Sequence, residues 1–211
     1  MKRLTGIGVI ILWRTIGTAM AADDAYVKVE ENRWTLGTAT VERVVALEEG
    51  KLLLRSLKNK VTGRELVSSG TPSEEFFVRL GDAKKPLSGA TGPWKLVRAN
   101  QTKLEQGEQQ LDLTLQHDAL LVTKSYVVYP GSSIIRQWLT FSNAGDRPLV
   151  IVEPGFLNET VRPGDPASLD FHWMTGGENR PGSWMLKTEK LDPAKPRAFD
   201  SYEPFSGPAP G

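Results

Sequence analysis

The residues best suited to contact a ligand lie in the segment 170–184, which mixes aromatic rings, glycines and hydrogen-bonding side chains. Sugars present apolar C–H faces beside hydroxyl groups, so a sugar site combines flat rings with carboxylate, amide, guanidinium or imidazole groups. The candidate carbohydrate-binding residues are Asp170, His172, Trp173, Glu178, Asn179 and Trp184. The same composition also fits a loop that contacts a partner domain. Another interpretation is a loop whose tryptophans close one end of a β-structure, with glycines in its tight turns.

Signatures of a complete catalytic site are scarce elsewhere. The sequence has no Gly-x-Ser-x-Gly elbow, no His-Glu-x-x-His motif, no phosphate-binding loop and no dinucleotide fingerprint. It has only two histidines, His117 and His172, which rules out a three-histidine metal site. It has no cysteine, which rules out thiolate ligands, disulfides and a cysteine nucleophile. We predict no catalytic residue, no metal site and no cofactor for this chain.

Acid–base chemistry on a glycosidic bond would need paired carboxylates. Glycoside hydrolysis uses two carboxyl groups about 5–10 Å apart, and Glu153, Asp170, Glu178 and Asp200 qualify only by residue type. Nothing in their spacing brings two of them together, so solvated side chains are the simpler interpretation. His117, at the end of an alternating stretch, is interpreted as a solvated turn residue.

The elements that would position these residues have the pattern of β-strands. Residues 111–115 alternate between apolar and polar side chains, which is typical of a strand with one buried and one wet face. Residues 120–128 and 134–141 are β-rich runs joined by a Pro-Gly turn, a hairpin signal. Residues 149–152 are predicted to follow as the next strand of an antiparallel meander. Trp138 is predicted to pack in the core.

Further strand candidates cover residues 51–57, 75–80 and 94–97. No run of a dozen residues after the N-terminal segment combines the apolar spacing and the capping of an amphipathic helix. About nine or ten strands at regular spacing favour an antiparallel sandwich or barrel. The predicted fold class is therefore all-β.

The composition changes after residue 153, because nine of the 14 prolines lie at or beyond Pro154. Proline removes a donor from the strand ladder, so this part cannot be mostly central strand. We predict a β-sandwich core over residues 23–155. Residues 156–211 form a loop-rich, Pro/Gly-rich extension that leads to a linker or a truncated end, with short strands at 170–173 and 183–186.

The N-terminus has the pattern of a secretory signal peptide. Lys2 and Arg3 precede a short apolar core, and Ala19-Met20-Ala21 supplies the small residues of a cleavage site. Arg14 shortens the apolar run, which is below the roughly 20 residues of a membrane span. We predict a signal peptide over residues 1–22 and export to the periplasm or the extracellular space, without membrane association after cleavage. A disordered or amphipathic N-terminal tail is the alternative.

The balance of charged residues indicates whether a nucleic-acid partner is expected. The formal net charge is +1, from 26 basic and 25 acidic residues, and there is no dense basic run. This balance gives no electrostatic reason to expect a nucleic-acid partner.

A series of short motifs, in the same order, resembles the N-terminal domain of glycoside hydrolase family 36, the α-galactosidase group. The motifs are Trp34-Thr-Leu-Gly37, Val41-Glu-Arg43, Leu57-Lys-Asn-Lys60, Thr62-Gly-Arg-Glu65, Glu74-Glu-Phe-Phe77, Ser125-Tyr126-Val-Val-Tyr-Pro130, Ile134-Ile-Arg-Gln-Trp138 and Phe141-Ser-Asn143. Each motif is weak alone, and their common order makes the series informative. The resemblance covers roughly residues 30–155.

The resemblance implies a two-sheet antiparallel β-supersandwich of the galactose-mutarotase-like type. In such enzymes this domain precedes a (β/α)8 barrel whose two aspartates perform retaining hydrolysis, and no position here matches those aspartates. The resemblance thus implies a non-catalytic N-terminal domain of an exported α-galactosidase-like glycoside hydrolase, inactive alone, whose partners are a carbohydrate and the following barrel. It leaves a role in homo-oligomer formation open.

Two other functions fit the residues. One is a stand-alone carbohydrate-binding module, whose sugar affinity would depend on Trp173 or Trp184. The other is a mutarotase-like sugar epimerase, in which His172 and Glu178 would serve as acid and base. The second rests on fold alone, and a fold does not confer a reaction.

Overall fold

Strands make up the regular secondary structure of the described residues. The computed structural model describes residues 23–67, 73–81, 83–162, 164, 169–177, 185–190, 192 and 202–203. The strands are β1 (Tyr26–Glu30), β2 (Arg33–Gly37), β3 (Val41–Glu48), β4 (Lys51–Asn59), β5 (Arg64–Glu65), β6 (Ser73–Glu74), β7 (Phe77–Leu80), β8 (Leu87–Ser88), β9 (Lys95–Lys103), β10 (Gln109–His117), β11 (Leu120–Val128), β12 (Ile135–Asn143), β13 (Ile151–Gly155), β14 (Asp170–Gly177), β15 (Met185–Lys190) and β16 (Tyr202–Glu203). The predicted all-β class is confirmed. The predicted signal peptide lies outside the described residues.

The first sheet is an antiparallel meander with the strand order β1-β2-β3-β4-β5, and β6 also pairs with β4. The β3–β4 hairpin shows how the sequence sets its turns. Glu49 and Gly50 are its two loop residues, and their φ angles are 49° and 73°. Two consecutive positive φ angles belong to the type I′ turn, whose twist matches that of the paired strands. Glycine adopts such an angle without steric cost.

The second sheet has the order β12-β11-β10-β9 and is antiparallel throughout. It contains the strands predicted at 111–115, 120–128 and 134–141. The prediction that the next strand continues this meander is wrong, because β13 pairs with β7 in a third sheet of order β13-β7-β8. Gly155 of β13 lies opposite Phe77, and a Cβ at Gly155 would fall 2.0 Å from the Phe77 ring. Because glycine has no side chain, β13 can pair with β7 at this position without a clash with the Phe77 ring.

The core lies between the inner faces of the first two sheets. The first sheet contributes Trp34, Leu36, Val45 and Leu52, and the second contributes Leu111, Leu113, Leu115, Val122 and Val128. Each of these aliphatic side chains stabilises the fold by about 1.5–3 kcal/mol when it leaves water. Phe76, in the β6–β7 connection, and Trp94, in the β8–β9 connection, pack edge to face with their ring centroids 5.2 Å apart. The packing of two sheets face to face gives the molecule its predicted β-sandwich character.

His117 differs from its predicted place in solvent. Its side chain is only 22 % exposed, and its ring lies 5.5 Å from the Trp94 ring. The alternation of β10 explains the difference, because His117 follows Leu111, Leu113 and Leu115 on the inward-facing side of the strand.

Strands β14 and β15 form an antiparallel hairpin, and β16 pairs in parallel with the end of β14. The strand predicted at 170–173 therefore extends to Gly177. Of the strand predicted at 183–186, residues 185–186 begin β15 and residues 183–184 lie outside the described part of the chain.

Asp24 joins two loops at one end of the sandwich. Its carboxylate accepts hydrogen bonds of 2.7 Å from the Ala39 N–H, in the β2–β3 turn, and from the Gly131 N–H, in the β11–β12 turn. These backbone hydrogen bonds lower the pKa of Asp24 below its usual 3.8. The folded state therefore binds the proton more weakly than the unfolded chain. The stabilisation is present above about pH 4 and is lost as the pH falls through the folded pKa.

Replacing Asp24→Asn is expected to lower the free energy of unfolding at pH 7 by about 1–2 kcal/mol, because the amide loses the charge and one of two acceptor oxygens. Urea unfolding at pH 7 and pH 3 measures the effect, and the difference from the parent should shrink at pH 3. Asp23→Asn is the matched control. Asp23 is 72 % exposed in a 3.3 Å ion pair with Lys103, which is worth well under about 1 kcal/mol. Equal effects of the two substitutions would contradict the prediction.

Candidate functional site

The predicted carbohydrate-binding residues are only partly described, and those that are described do not face one side. Asp170 and His172 are exposed on one face of β14, and the His172 Nδ1 lies 2.8 Å from the Thr188 Oγ1 of β15. Trp173 lies on the opposite face, since adjacent residues of a strand alternate. Its ring is 5.8 Å from the Phe171 ring. Glu178, Asn179 and Trp184 lie outside the described residues, so the full set stays a prediction.

The structure brings together a different group of side chains, between the two main sheets. We call it the inter-sheet charge cluster, and it consists of Arg43, Glu75, Lys124, Tyr126 and Glu159. The first four are at most 1 % exposed, and the Glu159 side chain is 9 % exposed. Charged groups at such depth are costly unless they are paired and hydrogen-bonded.

Strand alternation explains how the cationic members enter the interior. Lys124 lies between Val122 and Tyr126 on the inward-facing positions of β11. Arg43 of β3 is opposite the buried Leu36 of β2 in the same way. Both strands therefore place a cation where the pattern calls for an apolar residue.

Glu75 is the centre of the cluster and belongs to the short connection between β6 and β7. Its Oε1 accepts a 2.6 Å hydrogen bond from Arg43 Nη2, and its Oε2 accepts one of 2.5 Å from the Tyr126 hydroxyl. Lys124 Nζ lies 3.9 Å from the same Oε2 and donates to the Glu75 carbonyl at 3.1 Å. One residue of a connecting segment thus binds groups of both sheets.

The segment that follows β13 completes the cluster. Arg43 Nη2 also donates to the Glu159 carboxylate, and Lys124 Nζ also donates to the Phe156 carbonyl. The two cations then face two carboxylates, so the cluster as a whole is neutral. Arg43 Nε is the one buried nitrogen of the cluster without a hydrogen-bond partner among the described residues.

Burial and charge act against each other on the titrating groups. Desolvation lowers the pKa of Lys124 to about 8, although the Glu75 carboxylate opposes the shift. Burial also disfavours the charge of Arg43, but Glu75, Tyr126 and Glu159 hold its pKa above the usual value. Desolvation and the adjacent Glu75 carboxylate raise the pKa of Tyr126 well above 10.0. The guanidinium therefore stays charged, and Lys124 is the group most easily neutralised.

The geometry gives this cluster a connecting function within the fold. The carboxylates of Glu75 and Glu159, the Lys124 amine and the Tyr126 hydroxyl all bond inside the protein, and they are packed away from solvent. Five groups from two sheets and two connecting segments meet there, so the cluster fixes those segments on the sandwich. Within the described residues, no three His, Cys, Asp or Glu side chains are grouped so that they could hold a metal ion.

Comparison with known proteins leaves the family open. No family model matches this chain. No curated protein is similar to it in sequence. The described part of the chain contains no apolar helix of membrane-spanning length.

Lys124 gives the protein a specific pH dependence. Its pKa is 10.5 in a model peptide and about 8 in the folded protein, so between these values the unfolded chain binds more protons. Stability is therefore expected to rise by about 1 kcal/mol from pH 8 to pH 9.5. Above about pH 10 the raised pKa of Tyr126 acts in the opposite sense, because only the unfolded chain then loses the phenol proton.

Urea unfolding of the protein and of Lys124→Met at pH 7, 8, 9 and 9.5 measures this rise. The variant should lack it, whatever its absolute stability. A parallel rise in both proteins would assign the effect to another group.

Proposed function

We propose that this chain is a non-catalytic β-sandwich domain of an exported, α-galactosidase-like glycoside hydrolase. In this proposal it has the galactose-mutarotase-like supersandwich and supports a following (β/α)8 barrel that cleaves the glycosidic bond. Carbohydrate is the substrate of the parent protein, and this domain contributes no catalytic group.

The observation that carries the proposal is where the family-like motifs fall in the structure. Arg43 ends one motif, Glu75 lies inside another and Tyr126 lies inside a third, and these three residues meet in the inter-sheet charge cluster. Motifs whose residues are 32 to 83 positions apart and that converge on one point are hard to attribute to chance. Arg43 and Glu75 are 32 positions apart, and Tyr126 is 51 positions beyond Glu75.

The cluster also favours a supporting role over a catalytic one. A general acid or base needs access to the proton that it transfers. Glu75, Lys124 and Tyr126 are fully buried, and their charges are balanced within the protein. The perturbed groups of the cluster are thus bonded to one another inside the sandwich, as in structural ion-pair networks.

The test compares this chain with the product of its complete reading frame. Both are purified and assayed on a chromogenic α-galactoside, with circular dichroism to verify that each is folded. The chain alone should be folded and inactive. The complete product should hydrolyse the α-galactoside, and deletion of residues 23–162 from it should abolish soluble, active enzyme. Hydrolysis by the isolated chain, or a reading frame that encodes no catalytic barrel, would overturn the proposal.

A further inference from the structure

The face of the second sheet that points away from the core has an unusual set of side chains. Trp138 belongs to this outer face, so its predicted place in the core is wrong. The register pairs Trp138 with Ser125, Ser125 with Asp112 and Asp112 with Asn100. These four residues form one row across β12, β11, β10 and β9. At about 4.8 Å between strands, the row is about 14 Å long.

The neighbouring rows add cations to this outer face. Arg136 lies on β12, two residues before Trp138, and Arg98 and Lys95 lie on β9, opposite Thr114 and Gln116. Arg136, Arg98 and Lys95 are exposed, and none of them forms an ion pair among the described residues. The outer face therefore carries three cations that are free to meet an external anion.

The carboxylate on this outer face is already satisfied. Asp112 accepts a 2.6 Å hydrogen bond from the Ser125 hydroxyl and bonds of 3.0 and 2.9 Å from the Gln110 amide. It is thereby held in place between Ser125 and Asn100. It can still accept a hydrogen bond from a ligand hydroxyl, since a carboxylate has about four acceptor positions. The net charge of the face is positive.

Trp138 holds one of the cations in a defined position. The Arg136 guanidinium lies over the Trp138 ring, 5.2 Å from its centroid, which is cation–π geometry. A stacked guanidinium keeps its planar fork of N–H donors available, and that fork matches a carboxylate with two parallel hydrogen bonds. Trp138 is half-buried and acts as the platform for this fork.

We propose that the outer face of the second sheet binds an acidic polysaccharide, a chain of sugar units with uronate carboxylates, laid across the strands. The carboxylates pair with Arg136 and Arg98, and the sugar hydroxyls bond to Asp112 and Asn100. The hydroxyl, amide and carboxylate groups between the cations favour a hydroxyl-rich partner over an acidic peptide. This surface shares no residue with the candidate site on β14 and does not depend on the proposed role beside a catalytic barrel.

The test measures binding of the full chain to oligogalacturonate by isothermal titration calorimetry at low salt, with a neutral dextran oligomer of equal length beside it. Oligogalacturonate should bind, and the affinity should fall as salt is added. Arg136→Ala should weaken binding about tenfold, the loss of one charge-assisted pair. Trp138→Ala should weaken it severalfold, and Trp138→Phe should restore part of the loss because a ring is again present.

Arg33→Ala, which removes an exposed cation from β2 of the first sheet, is the matched control and should leave the affinity unchanged. Three results would overturn the proposal: no binding of oligogalacturonate, an equal loss in Arg33→Ala, or equal affinity for polyglutamate of matched charge. The last would identify a general polyanion surface. None of these results bears on the assay of α-galactoside hydrolysis, so the two proposals fail independently.

Discussion

Replacing Glu75→Gln is expected to lower the free energy of unfolding by about 3–5 kcal/mol, the usual cost of removing one member of a buried ionic network. Glutamine is nearly isosteric, so packing is preserved and the change is electrostatic. Arg43 and Lys124 would then share a single carboxylate, that of Glu159, inside the sandwich. The hydrogen bonds from Arg43 Nη2 and the Tyr126 hydroxyl would no longer both find an acceptor.

Urea unfolding at pH 7, followed by tryptophan fluorescence, measures this loss. Glu153→Gln is the matched control, because Glu153 also accepts from an arginine, at 3.0 Å from Arg79 Nε, but is 54 % exposed. An exposed pair of this kind is worth about 0–1 kcal/mol. Since native domains are stable by only about 5–15 kcal/mol, a Glu75→Gln protein that fails to fold at 25 °C agrees with the prediction. A loss no greater than that of the control would show that the cluster contributes nothing net.

The strands were predictable where one face is buried and the other is wet. Residues 111–115 alternate because β10 has Leu111, Leu113 and Leu115 against the core and Asp112 and Thr114 on the outer face. A local pattern of this kind does not show which strands pair with each other. Partner choice depends on contacts far apart along the chain, so the pairing of β13 with β7 could not be derived from the pattern of either strand.

Trp138 shows how a small ambiguity reverses a conclusion. The strand β12 has Leu139 and Phe141 at inward positions and Trp138 directly before Leu139. Apolar residues at adjacent positions leave the phase of the alternation undetermined, and a shift of one residue moves every side chain to the other face. The register with β11 decides the phase, because Trp138 pairs with Ser125 and Leu139 pairs with Lys124.

The cluster could be detected in the sequence but not assembled from it. A lysine among Val122, Tyr126 and Val128 breaks an inward apolar series and signals a buried charge. The residues that pair within the cluster are far apart along the chain; Arg43 and Glu159, for example, are separated by 116 positions. Glu75 starts the predicted strand 75–80 but precedes β7 in the structure, and Glu159 follows β13, so neither position has a periodic pattern that marks it as buried.

The neutrality of the cluster leads to a prediction about pairs of substitutions. Arg43→Met alone should destabilise the protein by about 3–5 kcal/mol, because Glu75 and Glu159 then share only Lys124. Glu159→Gln alone leaves an excess cation, and its cost should be smaller because the Glu159 side chain is the most exposed of the cluster. The double variant retains one cation, Lys124, and one carboxylate, Glu75. It should therefore be more stable than Arg43→Met alone, with a coupling energy of about 1–3 kcal/mol.

The control for the double variant is Arg43→Met combined with Glu153→Gln, whose two sites have no shared partner and should be additive within about 0.5 kcal/mol. Urea unfolding of the parent, the three single variants and the two double variants gives both cycles. Additive costs for Arg43→Met and Glu159→Gln would mean that charge balance does not govern the cluster. Coupling would instead tie Glu159, which lies in the extension predicted to begin at residue 156, to the interior of the sandwich. Residues 156–162 would then be part of the folding unit, because the inter-sheet charge cluster is neutral only when the Glu159 carboxylate is present.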